Sequence, residues 1–165
     1  ADPTSSAPIV EYAIKRAIKY KGAKLILIDP RQTKLSSFAH LWLRPKVSTD
    51  VALLNSMAKA IIEEGLLDEE FVARRTDNFE VLNKALERYS PEYTEAITGV
   101  PNQEIRAAAR LYAMSSRAAI VYGTGITQNA NGTNAIKTIS NIALLTGNIG
   151  RRGGCLLYTS DAADE

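Results

Sequence analysis

Short apolar runs alternate with longer segments of helical periodicity along this chain. Residues 8–21 carry apolar side chains at helical spacing and end before Gly22, a pattern that predicts a helix. Leu25–Ile28 is a run of four aliphatic residues, which is typical of a parallel strand buried on both faces. A helix joined closely to such a strand is half of an α/β unit, so the pattern predicts an α/β fold. The apolar face of the first helix would consist of Ile9, Ala13, Ala17 and Tyr20, with Ile14 and Ile18 beside it.

The same two patterns continue along the rest of the chain. Leu41–Leu43 is a second short apolar segment, and Pro45 bars it from a central position in a sheet because proline has no N–H to donate. Ala118–Tyr122 is a third such segment. Further helices are predicted over residues 32–39, 51–64, 69–75, 79–89, 91–98 and 103–114, with a last helix ending near residue 145. Residues suited to cap these helices include Thr49, Asp68 and Ser90.

The first strand ends in an acid and a base separated by a proline. Pro30 stops the hydrogen-bonding ladder, so Asp29 and Arg31 stand at the carboxyl end of the strand. In open α/β sheets, ligands bind at that edge. A carboxylate acceptor and a planar guanidinium suit a ligand that has a heterocycle or sugar and an anionic group. The structural alternative is that Asp29 caps the next turn and Arg31 is solvated.

A glycine-containing loop follows the third apolar segment. Gly123 and Gly125 would let a ligand approach the backbone closely, since they have no Cβ. The spacing differs from the dinucleotide-binding fingerprint, because Gln128 stands where that fingerprint has its third glycine. The loop suits an uncharged polar or diphosphate-bearing ligand, and a plain glycine turn is the alternative. Its polar side chains include Thr124, Thr127 and Gln128.

Composition narrows the classes of function. Of the 165 residues, 45% are hydrophobic, as in ordinary globular domains, and no run is long enough to cross a membrane. The formal charge is +2 with acids and bases interspersed, so a nucleic-acid partner is not indicated. With Cys155 as the single cysteine and His40 as the single histidine, the chain has no internal disulfide and no cysteine-rich metal site of its own.

Four further side chains have chemistry that a structural role explains equally well. We interpret His40 as a packing or capping residue, since no carboxylate or nucleophile pattern accompanies it. Trp42 is interpreted as part of the core. Arg151 and Arg152 are either phosphate contacts or residues that complement the dipole at a helix end.

Five short motifs occur in a fixed order and together resemble one protein family. They are Ile-Asp-Pro-Arg at 28–31, Leu-Arg-Pro with Thr-Asp-Val-Ala-Leu-Leu at 43–45 and 49–54, Thr-Gly-Val-Pro at 98–101, Tyr-Gly-Thr-Gly-Ile-Thr-Gln at 122–128, and Leu-Leu-Thr-Gly-Asn-Ile-Gly at 144–150. This series resembles the molybdopterin oxidoreductase family, and within it the large (alpha) catalytic subunits of molybdenum- or tungsten-dependent formate dehydrogenases. The resemblance covers residues 1–154, and it implies that they form part of an α/β domain with Rossmann-like, parallel-sheet layers and covering helices.

The resemblance also implies a cofactor, bis-(molybdopterin guanine dinucleotide) with molybdenum or tungsten. Asp29 and Arg31, with Pro30 shaping the turn, resemble residues that line one guanosine diphosphate arm. Thr49 and Asp50 match an element of the family in which the aspartate accepts hydrogen bonds from guanine. These positions would form one side of the cofactor site.

The other side of the site would come from the loop after the third apolar segment and from the first residues of the chain. Residues that resemble contacts to the other pterin arm are Gly123, Thr124, Gly125 and Gln128. Asp2 falls where the family has an asparagine near a phosphate. Residues 46–48, Lys-Val-Ser, stand where the family has a glycine before Thr49. The resemblance requires the loops after Ile28 and Tyr122 to converge on one ligand.

By the same resemblance, the complete protein would oxidise formate to carbon dioxide and pass the electrons to an iron–sulfur cluster. The cluster, the cysteine or selenocysteine metal ligand and its adjacent histidine would lie in other parts of a longer polypeptide, so residues 1–154 alone would be inactive. Expected partners are the other domains of the subunit and iron–sulfur electron-transfer subunits. We expect a cytoplasmic location, with the periplasm as the alternative, and an exposed apolar face where neighbouring domains pack.

Two other readings of the resemblance remain open. The protein could be another member of the family, such as a nitrate reductase. It could also be a non-catalytic relative, like the large subunit of respiratory complex I, in which the cofactor loops would be eroded. The intact Asp50 and Gln128 count against this second reading.

Residues 155–165 depart from the family pattern. Their sequence, Cys-Leu-Leu-Tyr-Thr-Ser-Asp-Ala-Ala-Asp-Glu, resembles the in-frame translation of a transposase-type sequencing adapter. We therefore expect these residues to lie outside the domain and Cys155 to have no chemical role. A natural acidic tail is the alternative.

Overall fold

Helices and short strands alternate along the computed structural model, which describes residue 3 and residues 7–159 apart from the side chain of residue 159. The helices are Pro8–Lys21 (α1), Asp50–Glu63 (α2), Glu69–Arg75 (α3), Phe79–Leu86 (α4), Pro91–Thr98 (α5), Asn102–Ala113 (α6), Thr124–Thr127 (α7) and Gly132–Leu145 (α8). The strands are Ile26–Ile28 (β1), Leu41–Leu43 (β2), Ala119–Gly123 (β3) and Cys155–Thr159 (β4), and a 3-10 helix covers Lys34–Phe38. The predicted α/β fold is confirmed.

The strands form parallel pairs. In the described part of the chain, β1 pairs with β2 and β3 pairs with β4, as two separate two-stranded sheets. The prediction that the first strand is buried on both faces holds in part: Leu27 is buried, while Ile26 and Ile28 on the other face are half-buried and pack against the core.

Helix α2 forms the centre of the core. Residues 52–58 are buried, as are Ala60 and Ile61, so the helix is enclosed on nearly every side. Leu53 and Ile61 have no exposed surface. The periodicity of this segment predicts a single inward face, but α4, α5, α6 and α8 all pack against it. A helix buried on nearly every side has little freedom to move, so its N-terminus is held in place by the core.

Helices α2 and α8 run parallel to each other. Near their N-termini, the Asn129 Nδ2 amide donates a hydrogen bond to Ser48 Oγ over 3.1 Å. Near their C-termini, the backbone N–H of Asp68 donates to the Leu145 carbonyl over 2.8 Å. Because both ends are linked in this way, the two helix dipoles point in the same direction, with their positive ends together.

The side-chain caps of α3 and α5 form as predicted. The Asp68 carboxylate accepts a hydrogen bond from the Phe71 N–H, which caps α3, and Ser90 Oγ accepts from the Tyr93 N–H, which caps α5. Thr49 behaves differently, because its hydroxyl donates back to the Lys46 carbonyl over 2.6 Å. The prediction that Thr49 caps the N-terminus of α2 through its side chain is therefore wrong.

Helix α1 has an apolar face that the described residues leave uncovered. Its bounds are as predicted, but none of its residues is buried. Ile9 is 85% exposed and Tyr20 66%, so the face predicted to pack inward instead faces out. The partly buried side consists of residues such as Ile14 and Ile18. No described helix is long and apolar enough to cross a membrane.

Strand β4 is an element that the sequence pattern does not predict. Cys155 pairs with Ala119, and the register continues to Thr159 opposite Gly123. The rings of Tyr122 and Tyr158 face each other with centroids 5.6 Å apart. The first five residues of the segment 155–165 thus extend the sheet of β3, while the adapter origin of the segment stays a prediction.

Candidate functional site

The turn after β1 is built around the buried carboxylate of Asp29. Its Oδ1 accepts a hydrogen bond from the Arg31 N–H over 2.9 Å and pairs with the Arg31 guanidinium Nε at 3.3 Å. The Asp29 side chain is 6% exposed, whereas that of Arg31 is 73% exposed. Asp29 therefore does cap the local turn, as the structural alternative holds, and the turn presents the Arg31 side chain at the surface. Pro30 between them is also exposed.

The backbone of this turn is fixed from β2. The Asp29 N–H donates to the Leu43 carbonyl over 3.2 Å, and the indole Nε1 of Trp42 donates to the Asp29 carbonyl over 2.9 Å. The Arg44 guanidinium lies 4.7 Å from the centre of the Trp42 ring. Both backbone groups of Asp29 are thus paired, and its position is set by the neighbouring strand.

Asp50 is the first residue of α2 and lies close to Asp29. Burial raises the pKa of the Asp50 carboxyl, a hydrogen bond from its own backbone lowers it, and the negative charge of Asp29 raises it further. The net result is a pKa above the usual value of 3.8. The carboxylate of Asp50 thus stands at the positive end of a helix, within electrostatic range of the carboxylate of Asp29.

The loop before α2 has the shape of a glycine loop without containing the glycine. Ser48 adopts a φ of 66°, in the left-handed region that glycine favours. The segment that replaces the family's glycine thus keeps a left-handed residue immediately before Thr49. The Thr49 hydroxyl closes the turn on the Lys46 carbonyl, so the N-cap side chain accepts no hydrogen bond from the backbone N–H groups at the start of α2.

The loop after β3 continues as a single helical turn. Gly123 is buried and extended at the end of the strand, and α7 follows directly with Thr124 and Gly125 exposed. A Cβ added at Gly125 would meet no heavy atom within 4 Å, so the packing of the chain does not require a glycine there. Gln128 follows the turn and is exposed.

Asn129 joins this loop to the N-terminus of α2. Its Nδ2 donates to Ser48 Oγ over 3.1 Å, and its Oδ1 accepts from the Asn131 N–H over 3.4 Å. Asn131 is the N-cap of α8, and its side chain makes no capping hydrogen bond. The N-termini of two parallel helices thus lie at the same end of the molecule, and both lack a side-chain cap. Such N–H groups are suited to bind an anionic group.

Several predicted positions fall elsewhere. Arg151 and Arg152 precede β4, whose first residue pairs with Ala119, so they lie at the opposite end of β3 from Gly123, about 13 Å away along the strand. Asp2 lies outside the described residues. His40 is a capping residue, because its Nδ1 accepts a hydrogen bond from the Leu25 N–H over 3.1 Å. No group of acidic, histidine or cysteine side chains suited to a metal ion occurs among the described residues.

Sequence reasoning missed three residues that shape this end of the molecule. Trp42 is half-buried and anchors the Asp29 carbonyl instead of simply filling the core. Ser48 and Asn129 are 81 positions apart, and no periodicity connects them. The signal that could have indicated Ser48 is its place before Thr49, where the family resemblance expects a glycine.

The comparison with known proteins agrees with the sequence motifs. The family model described as molybdopterin oxidoreductase matches residues 1–163. The chain is 44% identical over 150 residues to formate dehydrogenase H of Escherichia coli, covering 91% of this chain and 21% of that protein. It is 42% identical over 146 residues to the F420-dependent formate dehydrogenase subunit alpha of Methanocaldococcus jannaschii, covering 88% of this chain and 22% of that protein.

A solved structure shows the same fold. Acetylene hydratase from Pelobacter acetylenicus matches 88% of this chain and 20% of its own, with a TM-score of 0.83 and 32% sequence identity. The chain thus spans about a fifth of the length of the relatives that it matches. With a family model matched over residues 1–163 and relatives at 42–44% identity, the chain belongs to the molybdopterin oxidoreductase family.

Proposed function

We propose that this chain is part of the large subunit of a formate dehydrogenase, and that it binds the cofactor bis-(molybdopterin guanine dinucleotide). The complete protein would oxidise formate to carbon dioxide, releasing one proton and two electrons. The observation that carries the proposal is the position of Asp50 at the N-terminus of α2, within electrostatic range of Asp29, with the Ser48–Asn129 contact joining this end of α2 to that of α8.

The donors and acceptors at this end of the molecule match the chemical groups of such a cofactor. Guanine presents N–H donors on one edge, and the Asp50 carboxylate is an acceptor for them. The N–H groups at the starts of α2 and α8 suit a diphosphate, because neither helix receives a cap from its N-cap side chain. The exposed Arg31 guanidinium can form a planar fork with an anionic oxygen.

The loop after β3 fits a second part of the same ligand. Gly125 offers an open face on which a pterin could approach the backbone, and Thr124 and Gln128 supply polar side chains beside it. Asp2 remains a proposed phosphate neighbour. These residues bind and orient the cofactor and take no direct part in bond breaking.

Other parts of a longer polypeptide would complete the site. When bound, the molybdenum or tungsten of the cofactor supplies the two-electron redox chemistry of formate oxidation. The metal ligand, an iron–sulfur cluster and contacts to electron-transfer subunits would come from residues outside this chain. The contribution of the present residues is to hold the guanine and diphosphate groups in place.

Fold alone does not select formate as the substrate. Acetylene hydratase has the same fold but is named for a different reaction. The more similar relatives are therefore the better guide to the reaction. Identities of 42–44% to two formate dehydrogenases, against 32% to the hydratase, favour formate oxidation.

The proposal is tested on the full-length protein purified without oxygen. We expect formate-dependent reduction of a viologen dye, about two acid-released guanine nucleotides per subunit as the bis-dinucleotide requires, and molybdenum or tungsten by elemental mass spectrometry. Nitrate-dependent oxidation of the reduced dye, with no reaction toward formate, would instead identify a nitrate reductase. Absence of both guanine nucleotide and metal would identify a non-catalytic scaffold and overturn the proposal.

A further inference from the structure

Ser48 has a backbone conformation that a serine adopts only at a cost. Its φ of 66° lies in the left-handed region, where the Cβ of an L-residue crowds the backbone. A glycine would adopt the same conformation freely. Residues held in such a conformation cluster at functional sites, where the surrounding structure compensates for the strain. The hydroxyl is the group that a serine offers at this position and a glycine does not.

The Ser48 hydroxyl connects two segments that are remote in sequence. It accepts the 3.1 Å hydrogen bond from Asn129 Nδ2, and the same amide group accepts from the Asn131 N–H at the start of α8. Ser48 itself directly precedes Thr49, the N-cap of α2. A chain of two hydrogen bonds therefore runs from the N-terminus of one helix to the N-terminus of its parallel neighbour.

This connection adds little to the stability of the fold. Ser48 is exposed and Asn129 is half-buried, and a hydrogen bond at such a surface position largely replaces bonds to water. The helices are already held together by the burial of α2, in which Leu53 has no exposed surface. The hydrogen bonds can instead determine the relative position of the loops before α2 and α8. The hydrophobic contacts within the core do not specify that position.

We propose that Ser48 and Asn129 are positioning residues, which hold the N-termini of α2 and α8 at the spacing needed to bind the two arms of one cofactor. This inference rests on the proposed function and extends it to two residues that no motif indicates. The backbone of Ser48 is strained, and its hydroxyl holds the loop of Asp50 against the loop of Gly125.

The test compares variants of the full-length holoenzyme. Ser48→Ala keeps the backbone strain but removes the hydroxyl, Ser48→Gly removes both, and Asn129→Ala removes the partner. The measurements are the rate at which acid-releasable guanine nucleotide is lost on dilution and the melting temperature of the cofactor-free protein. We expect each variant to lose nucleotide about two- to tenfold faster, as the loss of one positioned hydrogen bond allows.

Two further results separate positioning from a purely structural role. Ser48→Gly should leave the melting temperature unchanged or raise it while it accelerates nucleotide loss, because the strain is relieved as the contact is removed. The double variant Ser48→Ala with Asn129→Ala should lose nucleotide no faster than either single variant, since both remove the same contact.

The outcomes also separate this inference from the proposed function. Wild-type protein that contains guanine nucleotide, with variants that retain it as well as the wild type does, would overturn the positioning role alone. Effects that simply add in the double variant, or that follow the melting temperature in Ser48→Gly, would overturn it too. Wild-type protein without guanine nucleotide would contradict the proposed function itself.

Discussion

At the scale of the residue, the raised pKa of Asp50 has a consequence for stability. The pKa of Asp50 is raised in the folded chain, chiefly by burial and also by the charge of Asp29. A raised pKa means that ionising the carboxyl costs more free energy in the folded chain than in the unfolded chain. Its ionised form therefore destabilises the cofactor-free protein at neutral pH, and this cost disappears as pH falls through the raised pKa.

We predict that Asp50→Asn raises the melting temperature of the cofactor-free protein at pH 7, because the variant cannot carry the buried charge. The gain should diminish as pH falls through the raised pKa of the wild type, where the wild-type carboxyl takes up its proton. Guanine nucleotide content should fall in the same variant, since an amide presents one acceptor instead of two. Melting curves across pH and nucleotide analysis measure the two effects.

Asp77→Asn is the matched control for this variant, because Asp77 is exposed in a loop away from the site. Its melting temperature and nucleotide content should equal those of the wild type. A drop in melting temperature for Asp50→Asn would show that the carboxylate is needed by the fold itself, against our interpretation.

Two glycines near the same loop allow a second comparison of single residues. We predict that Gly125→Ala folds normally, because the added Cβ meets no atom of the chain, but reduces nucleotide content by obstructing the ligand at a cost of about 1–3 kcal/mol. In Gly132→Ala the added Cβ would clash with the Thr127 carbonyl and lie 3.0 Å from the Ile126 carbonyl oxygen. That variant should lose stability, and denaturant unfolding measures the difference.

If Gly125→Ala retained all of its nucleotide, the proposed approach of the pterin to α7 would be wrong. A Gly132→Ala variant as stable as the wild type would mean that α8 can shift away from Thr127 without cost, which the close approach of the two segments argues against.

At the scale of the element, helices α1 and α2 show that equal length does not mean equal burial. Each has 14 residues and apolar side chains at helical spacing. Helix α2 is enclosed by four other helices, whereas α1 has no buried residue and exposes Ile9, Tyr12 and Tyr20. An exposed apolar face of this kind is suited to pack against another part of a longer polypeptide.

Substitutions in the two helices should therefore differ sharply. We predict that Leu53→Ala in α2 destabilises the chain by about 2–5 kcal/mol, because it empties a fully enclosed site. Tyr12→Ser in α1, at a side chain that is 67% exposed, should change the stability of this chain by less than about 0.5 kcal/mol. Urea unfolding of the two variants measures both values.

In a longer polypeptide the α1 substitution would have a larger effect if another domain covers this face. A strong destabilisation by Tyr12→Ser in the present chain alone would instead indicate that α1 packs more tightly than its exposed residues suggest.

At the scale of the whole molecule, the residues proposed to bind the cofactor would form one side of a site that other parts of a longer polypeptide complete. The chain spans about a fifth of its relatives, and its strands occur as separate pairs, which are marginal on their own. Helix α2 provides the common support, because Ser48 just before it bonds to Asn129 in the loop after β3, and its first residue, Asp50, lies within electrostatic range of Asp29 in the turn after β1. The residues proposed to bind the cofactor are thus positioned by the core and not by the strands alone.

The amino-acid sequence by itself determined the positions and types of most elements. Helix α1 and the caps Asp68 and Ser90 follow from local preferences, which depend on residues three or four positions apart. The family motifs also indicated Asp29, Asp50 and Gly125 without any tertiary information. Whether these residues bind a cofactor stays a prediction.

Only the tertiary structure decided which segments meet and which faces are covered. The contact between Ser48 and Asn129 joins residues 81 positions apart, and no local rule extends over such a distance. The exposure of α1, the enclosure of α2 and the pairing of β4 with β3 depend on what other elements pack nearby. The physical reason is that periodicity specifies an apolar face, whereas burial of that face requires a partner whose position is set by the whole fold.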